Sequence, residues 1–560
     1  MGRRLEEYTH EELIEYIKTL KKQKRFGLVW EDKPENVVRE CETKLPIVKE
    51  VEGKTIENAP GEPTNIIIEG DNYHALSVLN YTHAGKIDVI YIDPPYNTGN
   101  KDFIYNDCYV DKEDTFRHSK WLSFMEKRLR LAKNLLADDG VIFISIDDNE
   151  QAQLKMLCDS IFGDNNFVCG YVWQKSFAPK NDNKYISVSH EYILLYAKNK
   201  LLYDRNLLPR NNKNNSGYSN PDNDPRGDWT SGTCLVTTFS ENSVYEIVAP
   251  NGKKHVPPVG RCWRYSRQSF NQLVDDNRIW FGKDGNGVPR VKRFLSEMPN
   301  GIVPQTWLKY EDVGSGQDGA KDLRSIFSGE TIFSFPKPLK LMKYLIDRHK
   351  NKNGIILDYF AGTGTTGQAV MELNKEDGGH RQFILVTNNE ANGQADAGAE
   401  GIAEKVTYPR IKTVITGIRP DGTKYSDGIP ANLRYFKTDF VEKGKTTDDT
   451  REALITECCD MIRMRENAFE HVASAPEYRF YKNDKVFVPI IFDQFAIAET
   501  WELVEKLNTE KLPVHCYNFS YNRHANEEEI PEDTELTWTA CSIPETVLEV
   551  YRKIFRKKEV

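Results

Sequence analysis

The sequence predicts an α/β fold in which short apolar strands alternate with helices around a parallel or mixed sheet. Three apolar runs, "NIIIEG", "KIDVIYID" and "VIFISID", each end in a turn or an acid and precede a helical pattern. The stretch "GIILDYFAGTGTTGQAVMEL" repeats the order strand, turn and helix much later in the chain. Such alternation is typical of parallel and mixed sheets. At roughly 100–200 residues per domain, the 560 residues are enough for about three or four domains.

Composition narrows the class of protein. The net charge of −9 argues against a chain that binds nucleic acid over its whole surface, but it leaves room for one basic face. The ten cysteines form no C-x-x-C pair, which indicates reduced thiols in a cytoplasmic protein. The first residues lack the apolar core of a signal peptide, and no apolar run approaches the length of a membrane span.

The chain divides into five segments. Residues 1–55 are predicted to form an N-terminal helical extension, with a helix over residues 8–24 that begins at a capping box of Thr9 and Glu12. Residues 56–200 carry the first strands, a long helix that ends at Gly140 and a helix over residues 149–162. Residues 201–325, rich in Asn, Gly, Pro and Ser, predict a loop-rich, β-leaning inserted domain.

Strand and helix patterns alternate again over residues 326–418, and the sequence pattern changes once more in the last segment. Residues 419–560 are interpreted as a separate α+β domain, in which "TREALITECCDMIRMRENAFEHV" predicts one helix.

A glycine-rich turn follows the strand at residues 355–358. Gly362 and Gly364 let the backbone turn sharply and approach a ligand closely. A G-x-G turn between a strand and a helix favours a nucleotide-like cofactor. No Gly-Lys-Ser/Thr follows, so this is not a phosphate loop. A tight turn without a ligand remains the alternative.

The second unusual loop is "IDPPYNTG" at residues 92–99. A strand that ends at Asp93 places its carboxylate at the carboxyl edge of the sheet, where ligands of open α/β sheets bind. Pro94 and Pro95 have fixed φ and no N–H, and they expose carbonyls toward the cleft. The carboxylate and a fixed carbonyl are two hydrogen-bond acceptors, and Tyr96 adds an aromatic ring. Together they predict a pocket for the exocyclic amine of a base extruded from its duplex. The alternative is a proline-stiffened turn.

These residues resemble a known enzyme family. Asp93-Pro94-Pro95-Tyr96 looks like the catalytic motif of the S-adenosylmethionine-dependent amino methyltransferases of DNA, and Phe360-Ala361-Gly362-Thr363-Gly364 resembles their cofactor motif. The catalytic motif comes first, as in the permuted beta class, and Phe335, Lys337 and Pro338 match its F-x-K-P element. The resemblance implies a Rossmann-like fold with permuted motif order, an inserted target recognition domain and a C-terminal α+β domain.

Most of the chain is similar to one group within that class, the modification (Mod) subunits of Type III restriction-modification systems. "EGDNYHAL", "DPPYNTG" and "GTGTTGQAVMELNKEDGG" carry this likeness. It implies double-stranded DNA as substrate, a homodimer formed through the C-terminal domain and an ATP-dependent helicase-nuclease (Res) partner. The chain has no G-x-x-x-x-G-K-[ST] helicase motif, so any cleavage is expected from that partner.

The resemblance also implies how S-adenosylmethionine is held. The backbone from Phe360 to Gly364 is expected on its methionine part, and Asp358 on its amino group. The N–H groups of Thr365 and Thr366 at a helix start would face its carboxylate, with Lys337 as a second charge. Asp71 either reaches the adenine or caps the helix from Asn72. Many relatives hold the ribose with an acid after the next strand; here the acid comes later, and Asn388 is the candidate.

The implied reaction moves a methyl group to adenine N6. The Asp93 carboxylate and the Pro94 carbonyl would accept hydrogen bonds from the amine, and Tyr96 would stack on the base. No metal is needed for this step. The alternatives are cytosine N4, where relatives more often carry Ser at position 93, methylation of RNA or of a protein amide, and an inactive DNA-specificity module.

A local basic stretch predicts the DNA contacts. Residues 251–310 contain eleven Lys and Arg against four Asp and Glu. The candidates lie among Trp263, Tyr265 and Phe294, and they are Arg261, Arg264, Arg267, Lys292 and Arg293. A solvated basic surface is the alternative.

Overall fold

The computed structural model describes residues 9–10, 12–14, 28–100, 102–106, 108–179, 184–210, 215–299, 301–388, 401–520, 527, 530–531 and 534–555. Most of the predicted helix over residues 8–24 lies outside this set. Its predicted capping box is confirmed, because the Thr9 N–H donates to Glu12 Oε2 at 2.7 Å and the Glu12 N–H donates to Thr9 Oγ1 at 3.3 Å. The chain forms two compact units, residues 1–205 with 306–560, and residues 206–305.

The first unit is built on one ten-stranded sheet with the order β1-β10-β2-β9-β8-β3-β4-β6-β5-β7. Its strands are β1 Lys44–Glu50, β2 Thr64–Glu69, β3 Ile87–Ile92, β4 Leu136–Ile146, β5 Phe167–Gln174, β6 His190–Ala197, β7 Trp307–Leu308, β8 Ile355–Asp358, β9 Gln382–Thr387 and β10 Asn432–Glu442. The run from β10 to β4 is parallel throughout, whereas β1 and β6 pair antiparallel with their neighbours.

Thirteen helices accompany the strands in the described part of this unit. They are α1 Asn36–Thr43, α2 Asn72–Thr82, α3 Arg117–Leu135, α4 Gln151–Phe162, α5 Tyr310–Val313, α6 Gly316–Ile326, α7 Leu339–Ile346, α8 Thr365–Asp377, α9 Tyr408–Thr416, α10 Thr447–Ile455, α11 Cys459–Glu466, α12 Ile497–Leu507 and α13 Glu545–Phe555. Shorter elements are a hairpin of 104–105 with 108–109, 3-10 turns at 52–54, 164–166 and 494–496, and a π-helical turn at 403–407.

Both faces of the sheet are buried, as the parallel strands require. Side chains alternate between two cores: Ile66 and Ile68 of β2 lie in one, and Ile67 lies in the other. Helices α2, α3 and α4 cover the first face, and α7, α8 and α9 cover the second. The predicted α/β class is therefore confirmed.

Two boundaries differ from the sequence prediction. The long helix ends at Leu135 and not at Gly140, because residue 136 already pairs with Ile87 at the start of β3. β1 and β10, from the segments predicted as the N-terminal extension and the C-terminal domain, pair with each other and extend the large sheet past β2.

The C-terminal part adds a five-stranded sheet of β11 Glu470–Ala475, β12 Tyr478–Lys482, β13 Phe487–Ile491, β14 Val514–Phe519 and β15 Trp538–Ile543. The prediction of one helix over residues 450–472 is wrong. The stretch forms the last part of α10, then α11 and the start of β11. α11 ends at Glu466, and the next residue, Asn467, has a left-handed φ of 52°, a conformation that stops a helix.

The second unit, residues 206–305, has a small β structure of its own. Strands 279–280, 290–294 and 229–233 form one sheet, and the pairs 235–236 with 262–263 and 247–248 with 254–255 form two more. Its helix is Arg267–Asp275, with 3-10 turns at 241–243 and 295–297. A bridge between Leu208 and Ile302 brings its two ends together, which suits an insertion. Among all described residues, no helix has the length and apolarity to cross a membrane.

Candidate active site

The two loops singled out from the sequence leave the same edge of the large sheet. β3, which ends before Asp93, and β8, which ends at Asp358, are neighbouring parallel strands with Leu357 opposite Ile90. Carboxyl ends of adjacent parallel strands form the usual ligand cleft of this fold class. The Asp-Pro-Pro-Tyr loop and the glycine turn therefore flank one cleft.

Lys337 lies at the centre of the polar contacts in this cleft. Its Nζ is 3.0 Å from Asp93 Oδ1, 2.8 Å from the Tyr96 hydroxyl oxygen and 3.1 Å from Glu191 Oε2. The single proton of the Tyr96 hydroxyl faces two acceptors, Asp93 Oδ1 at 2.8 Å and Glu191 Oε2 at 3.1 Å. All three ammonium donors of Lys337 are thus used by Glu191 and by the loop of residues 93–96, which we call the catalytic loop after its predicted role.

Glu191 joins a second lysine to the cluster. Lys175, just after β5, holds Glu191 Oε1 at 2.9 Å, and Glu191 itself is the second residue of β6. Burial alone would raise the pKa of Glu191, but Lys337 and Lys175 lower it to about 2. Burial, with Asp93 and Glu191 nearby, raises the pKa of the Tyr96 phenol well above its ordinary value. The cluster therefore holds an ionised Glu191 and a neutral Tyr96 at physiological pH.

The prolines of the catalytic loop are anchored from α3. Trp121, which is fully buried, donates its indole N–H to the Pro95 carbonyl at 2.7 Å. That bond fixes the peptide on the carboxyl side of the two prolines. Pro94 itself is buried, and its neighbour Asp93 is partly exposed to the cleft.

A second anchor follows directly after Tyr96. Asn97 is buried with a left-handed φ of 58°, and its Nδ2 donates to Glu150 Oε1 at 2.6 Å. The same oxygen lies 2.6 Å from His118 Nδ1. Burial raises the pKa of the fully buried Glu150, against the opposing effects of Asn97 and His118. The end of the catalytic loop is thus tied to α3 and to the residue before α4.

The glycine turn is shaped by a buried carboxylate. Asp358 Oδ1 accepts from the Phe360 N–H at 3.0 Å, and Oδ2 accepts from the Thr366 hydroxyl at 2.5 Å. Gly362 and Gly364 have φ of 49° and 76°, which favour glycine. Burial raises the pKa of Asp358 to about 7, an effect that Asp93 increases. Among the described residues no cation pairs with Asp358.

Buried polar groups support the turn from below. Arg410 of α9 is fully buried and donates from Nη1 to Thr365 Oγ1 at 2.7 Å and to Thr363 Oγ1 at 3.1 Å, and from Nε to Gln368 at 2.9 Å. Burial lowers the pKa of Arg410 to about 10, so it remains charged. The side chains of Thr363 and Thr365 point into the protein, which leaves the backbone of the turn to face the cleft.

Four other cofactor candidates are Asp71, Asn388, Phe335 and Pro338. Asp71 caps α2, since its carboxylate accepts from the Tyr73 N–H at 2.7 Å, as one of the two interpretations of this residue expects. Asn388 is exposed directly after β9, and the next residue lies outside the described part of the chain. Phe335 is 85% exposed, whereas Pro338 is buried as the residue before α7.

The basic candidates in the second unit fall into two groups. Arg261, Arg264, Arg267 and Arg293 are exposed, and Arg267 also donates to the Glu246 carbonyl at 3.0 Å. Lys292 is buried, with its Nζ bound to Asp222 and, at 3.2 Å, to Asp224. An ammonium that neutralises two carboxylates inside the unit is not available to a phosphate, so we omit Lys292 from the candidate DNA surface. Trp263 and Phe294 are core residues of the unit.

Sequence reasoning missed Glu191, Lys175 and Glu150. Glu191 and Lys175 lie on strand ends that meet only through the β5–β6 register, in which Gln174 pairs with His190. The one usable signal was the charge in "SHEYILLYA", an acid at the start of an otherwise apolar strand.

One cluster with metal-binding residue types lies at the opposite edge of the sheet. Single ligand atoms of Asp88, Asp139 and His349 come within 4.8 Å of one another. However, His349 Nδ1 accepts the Asn351 N–H at 3.3 Å, so the ring proton sits on Nε2, the atom that faces Asp139. Asp88 is also engaged, since Oδ1 accepts from the Asn351 side-chain amide at 2.9 Å and Oδ2 accepts from the Ile355 N–H at 2.7 Å, and we assign no metal to this cluster.

The comparisons with known proteins agree with this geometry. The sequence profile of the DNA methylase family N6_N4_Mtase matches residues 87–392. The Type III restriction-modification enzyme StyLTI Mod subunit of Salmonella typhimurium is 38% identical over 67% of this chain and 60% of its own length. The Type II methyltransferase M.KpnI of Klebsiella pneumoniae is 34% identical over 57% of this chain and 79% of its own length.

The chain spans about three-fifths of the length of the Mod subunits that it matches. Among solved structures, a putative DNA modification methylase from Thermus thermophilus, complexed with S-adenosyl-L-methionine, is 14% identical. The likeness covers 58% of this chain and 90% of that one with a TM-score of 0.28, too low to say anything about this protein. The profile match, across more than half of the sequence and both cleft loops, shows that the chain belongs to the N6_N4_Mtase family of DNA methylases.

Proposed function

We propose that this protein transfers a methyl group from S-adenosylmethionine to the N6 amine of adenine in double-stranded DNA. The observation that carries the proposal is the meeting of the Asp93 loop and the Gly362 turn at one cleft, on the neighbouring strands β3 and β8. One loop has the acceptors and aromatic ring that suit an exocyclic amine on a base. The other has the open backbone that suits a nucleotide-like cofactor.

The residues of the glycine turn fit S-adenosylmethionine. A Cβ at Gly362 would meet only the Phe360 carbonyl oxygen, at 3.8 Å, so the space above the turn is open. Asp358 is a buried carboxylate without a described cationic partner, which suits the cofactor's ammonium group. The first N–H groups of α8, beginning at Thr365, suit its carboxylate. Phe360, Ala361, Asp71 and Asn388 complete the proposed binding set.

When bound, S-adenosylmethionine supplies an electrophilic methyl group on a sulfonium. The Asp93 carboxylate and the Pro94 carbonyl accept hydrogen bonds from the adenine amine, which favours a nucleophilic nitrogen and stabilises the charge that develops on it. Pro95, anchored by Trp121, keeps this rim rigid. Tyr96 stacks on the base, a contact worth about 1–3 kcal/mol. Lys337 holds Asp93 and Tyr96 in register through its 3.0 Å and 2.8 Å contacts.

Sequence readout belongs to the second unit in this proposal. Arg261, Arg264, Arg267 and Arg293 are exposed on a small β domain with its own core of Trp263, Phe270 and Val291. Guanidinium groups neutralise phosphates and read guanine in the major groove, so they suit this role.

The protein would act as the modification subunit of a Type III restriction-modification system. The support is the similarity to the StyLTI, EcoPI and EcoP15I Mod subunits, of 38%, 32% and 31% identity. Under this proposal the chain forms a homodimer and associates with an ATP-dependent helicase-nuclease subunit. Co-purification of such a nuclease from the host would support the assembly, whereas isolation of a lone methylase would contradict it.

Methyl transfer itself is tested with labelled S-adenosylmethionine and plasmid DNA, RNA or protein as acceptor. We expect label only in DNA, recovered after digestion as N6-methyladenine. Recovery as N4-methylcytosine would contradict adenine specificity, and transfer to RNA or protein would contradict the substrate class. Asp93→Ala is expected to abolish transfer with little change in the Kd for S-adenosylmethionine. Transfer by Asp93→Ala at the unmodified rate would exclude this pocket as the reaction centre.

A further inference from the structure

The connection between β5 and β6 carries exposed apolar side chains. Phe177 is 53% exposed, Tyr185 83%, Ile186 78% and Val188 44%. Residues 180–183 of this connection lie outside the described part of the chain. Exposing several large apolar groups within one loop is unfavourable in water, which marks the loop as a contact surface.

The ends of this connection are built into the active-site cluster. Gln174, the last residue of β5, pairs with His190, the first residue of β6. The adjacent residues, Lys175 and Glu191, bond to each other at 2.9 Å, and Glu191 Oε2 lies 3.1 Å from the Tyr96 hydroxyl. The six residue-to-residue steps from Tyr185 to Glu191 span about 20 Å at most. The exposed side chains of Tyr185, Ile186 and Val188 therefore lie within about 20 Å of Glu191, on the same side of the sheet as the Asp93 loop.

Position distinguishes this surface from other exposed apolar residues. Leu201 and Leu202, just past the other end of β6, are 94% and 52% exposed, but they lie at the opposite edge of the sheet. The connection at the catalytic edge also carries positive charge. Lys184 is exposed, and its Nζ lies 5.2 Å from the centroid of the Tyr185 ring, whereas Lys175 at the base of the connection is paired with Glu191. Apolar groups beside an exposed lysine suit a duplex, with its stacked bases and anionic backbone, better than a second apolar protein surface.

We propose that Tyr185 and Ile186 form an apolar wedge that enters the base stack of duplex DNA beside the target base and stabilises its extruded state. This inference rests on the proposed DNA methylation. Extruding a base costs a few kcal/mol of stacking and pairing, and apolar wedges that fill the gap lower this cost. Lys175 and Glu191 keep the base of the wedge fixed relative to Tyr96.

The test compares a wedge double variant, Tyr185→Ala with Ile186→Ala, and a matched control, Leu201→Ala with Leu202→Ala. The recognition sequence is first read from plasmid methylated by the protein in cells. Single-turnover transfer is then measured on two duplexes with that sequence. In one the target adenine is paired with thymine; in the other it faces an abasic site, which removes the pairing cost of extrusion.

For the wedge variant we expect transfer to the paired duplex to fall about tenfold or more, and transfer to the abasic duplex to stay within about threefold of the unmodified protein. The control variant should match the unmodified protein on both duplexes. Both variants should bind S-adenosylmethionine and unfold thermally like the unmodified protein, since the replaced side chains are exposed.

Equal losses on the two duplexes, or no loss on either, would overturn the wedge. So would a change in sedimentation of the wedge variant, which would assign these side chains to contact with a second copy of the chain. Absence of transfer by the unmodified protein to any DNA would instead overturn the proposed function and the wedge with it.

Discussion

Lys337 Nζ lies 3.0 Å from Asp93 Oδ1, which links the segment before α7 to the acid that directly follows β3. The same ammonium contacts Tyr96 and Glu191. Burial would lower the pKa of Lys337, but Asp93 and Glu191 raise it above its ordinary value. Lys337 is therefore a cation of the catalytic loop in this structure, and its contact with the cofactor stays a prediction.

Lys337→Met is expected to lower the single-turnover transfer rate by about a hundredfold, because Asp93 and Glu191 would face each other without their shared cation and move apart. The Kd for S-adenosylmethionine, measured by calorimetry, should change little. Lys340→Met, a surface lysine in α7, is the control and should leave both quantities unchanged. A weaker Kd with an unchanged rate at saturating cofactor would assign Lys337 to the cofactor instead.

Asp358 predicts a pH dependence of cofactor binding. Its pKa of about 7 means that the carboxylate forms as pH rises through neutrality. Because only the ionised form pairs with an ammonium group, affinity for S-adenosylmethionine should rise about tenfold between pH 6 and pH 8. Asp358→Asn should bind more weakly at pH 8 and show a flatter profile, measured by calorimetry at constant ionic strength.

The stability of the cofactor-free protein should fall as pH rises, whereas its affinity for S-adenosylmethionine should rise. The folded state holds the Asp358 proton more tightly than the unfolded state does, since burial raises the pKa from 3.8 to about 7. The free energy of unfolding therefore falls as pH rises across that window. Asp358→Asn should lessen the fall. If Asp358→Asn instead lost more stability at high pH than at low pH, this result would contradict a carboxylate that is buried without a cationic partner.

Gly364 and Gly378 form a matched pair at the two ends of α8, with left-handed φ of 76° and 67°. Alanine at either position should cost about 1 kcal/mol of stability. A Cβ at Gly378 meets nothing within 4 Å, whereas one at Gly364 lies 3.1 Å from Thr407 Cγ2 at the cofactor turn. Only Gly364→Ala should weaken cofactor binding. Equal effects on Kd would show that the turn does not contact the cofactor.

Glu150→Ala removes the acceptor that Asn97 and His118 share. The buried Asn97 amide would keep only its longer bond to the Arg117 carbonyl, at 3.3 Å, and the His118 ring would lose its acceptor. Losing these bonds should cost about 1–3 kcal/mol and release the loop end, so the transfer rate should fall more than the cofactor affinity. Glu126→Ala, which breaks the surface pair with Arg130, is the control and should cost about 0.5 kcal/mol or less. Chemical denaturation and single-turnover assays measure both effects. An unchanged transfer rate in a destabilised Glu150→Ala would limit this carboxylate to a structural role.

The strands and the two cleft loops could be predicted from the sequence because their signals are local. An apolar run that ends in Asp93-Pro94-Pro95-Tyr96, or in Gly362-Thr363-Gly364, is visible within a dozen residues. The sequence also predicts that the two loops are neighbours, since parallel strands present their carboxyl ends at one edge of the sheet.

The rest depended on contacts between distant residues. Glu191 belongs to the cleft only through the register of β5 with β6 and the approach of Lys337, which no local pattern specifies. Lys292 looked like one more basic residue in a basic stretch, but Asp222 and Asp224, about 70 residues away, bury it. Charge in a sequence does not reveal which cations are already neutralised inside the fold.

The place of β10 in the large sheet has a consequence for biosynthesis. β2 pairs with β9 on one side and β10 on the other, so both of its edges stay open until residues 382–442 have left the ribosome. Contacts between residues this distant in sequence form slowly, and apolar strands are prone to aggregate until they are paired. We therefore expect residues 64–69 to be the part of the nascent sheet most in need of protection from aggregation until β9 and β10 have been made.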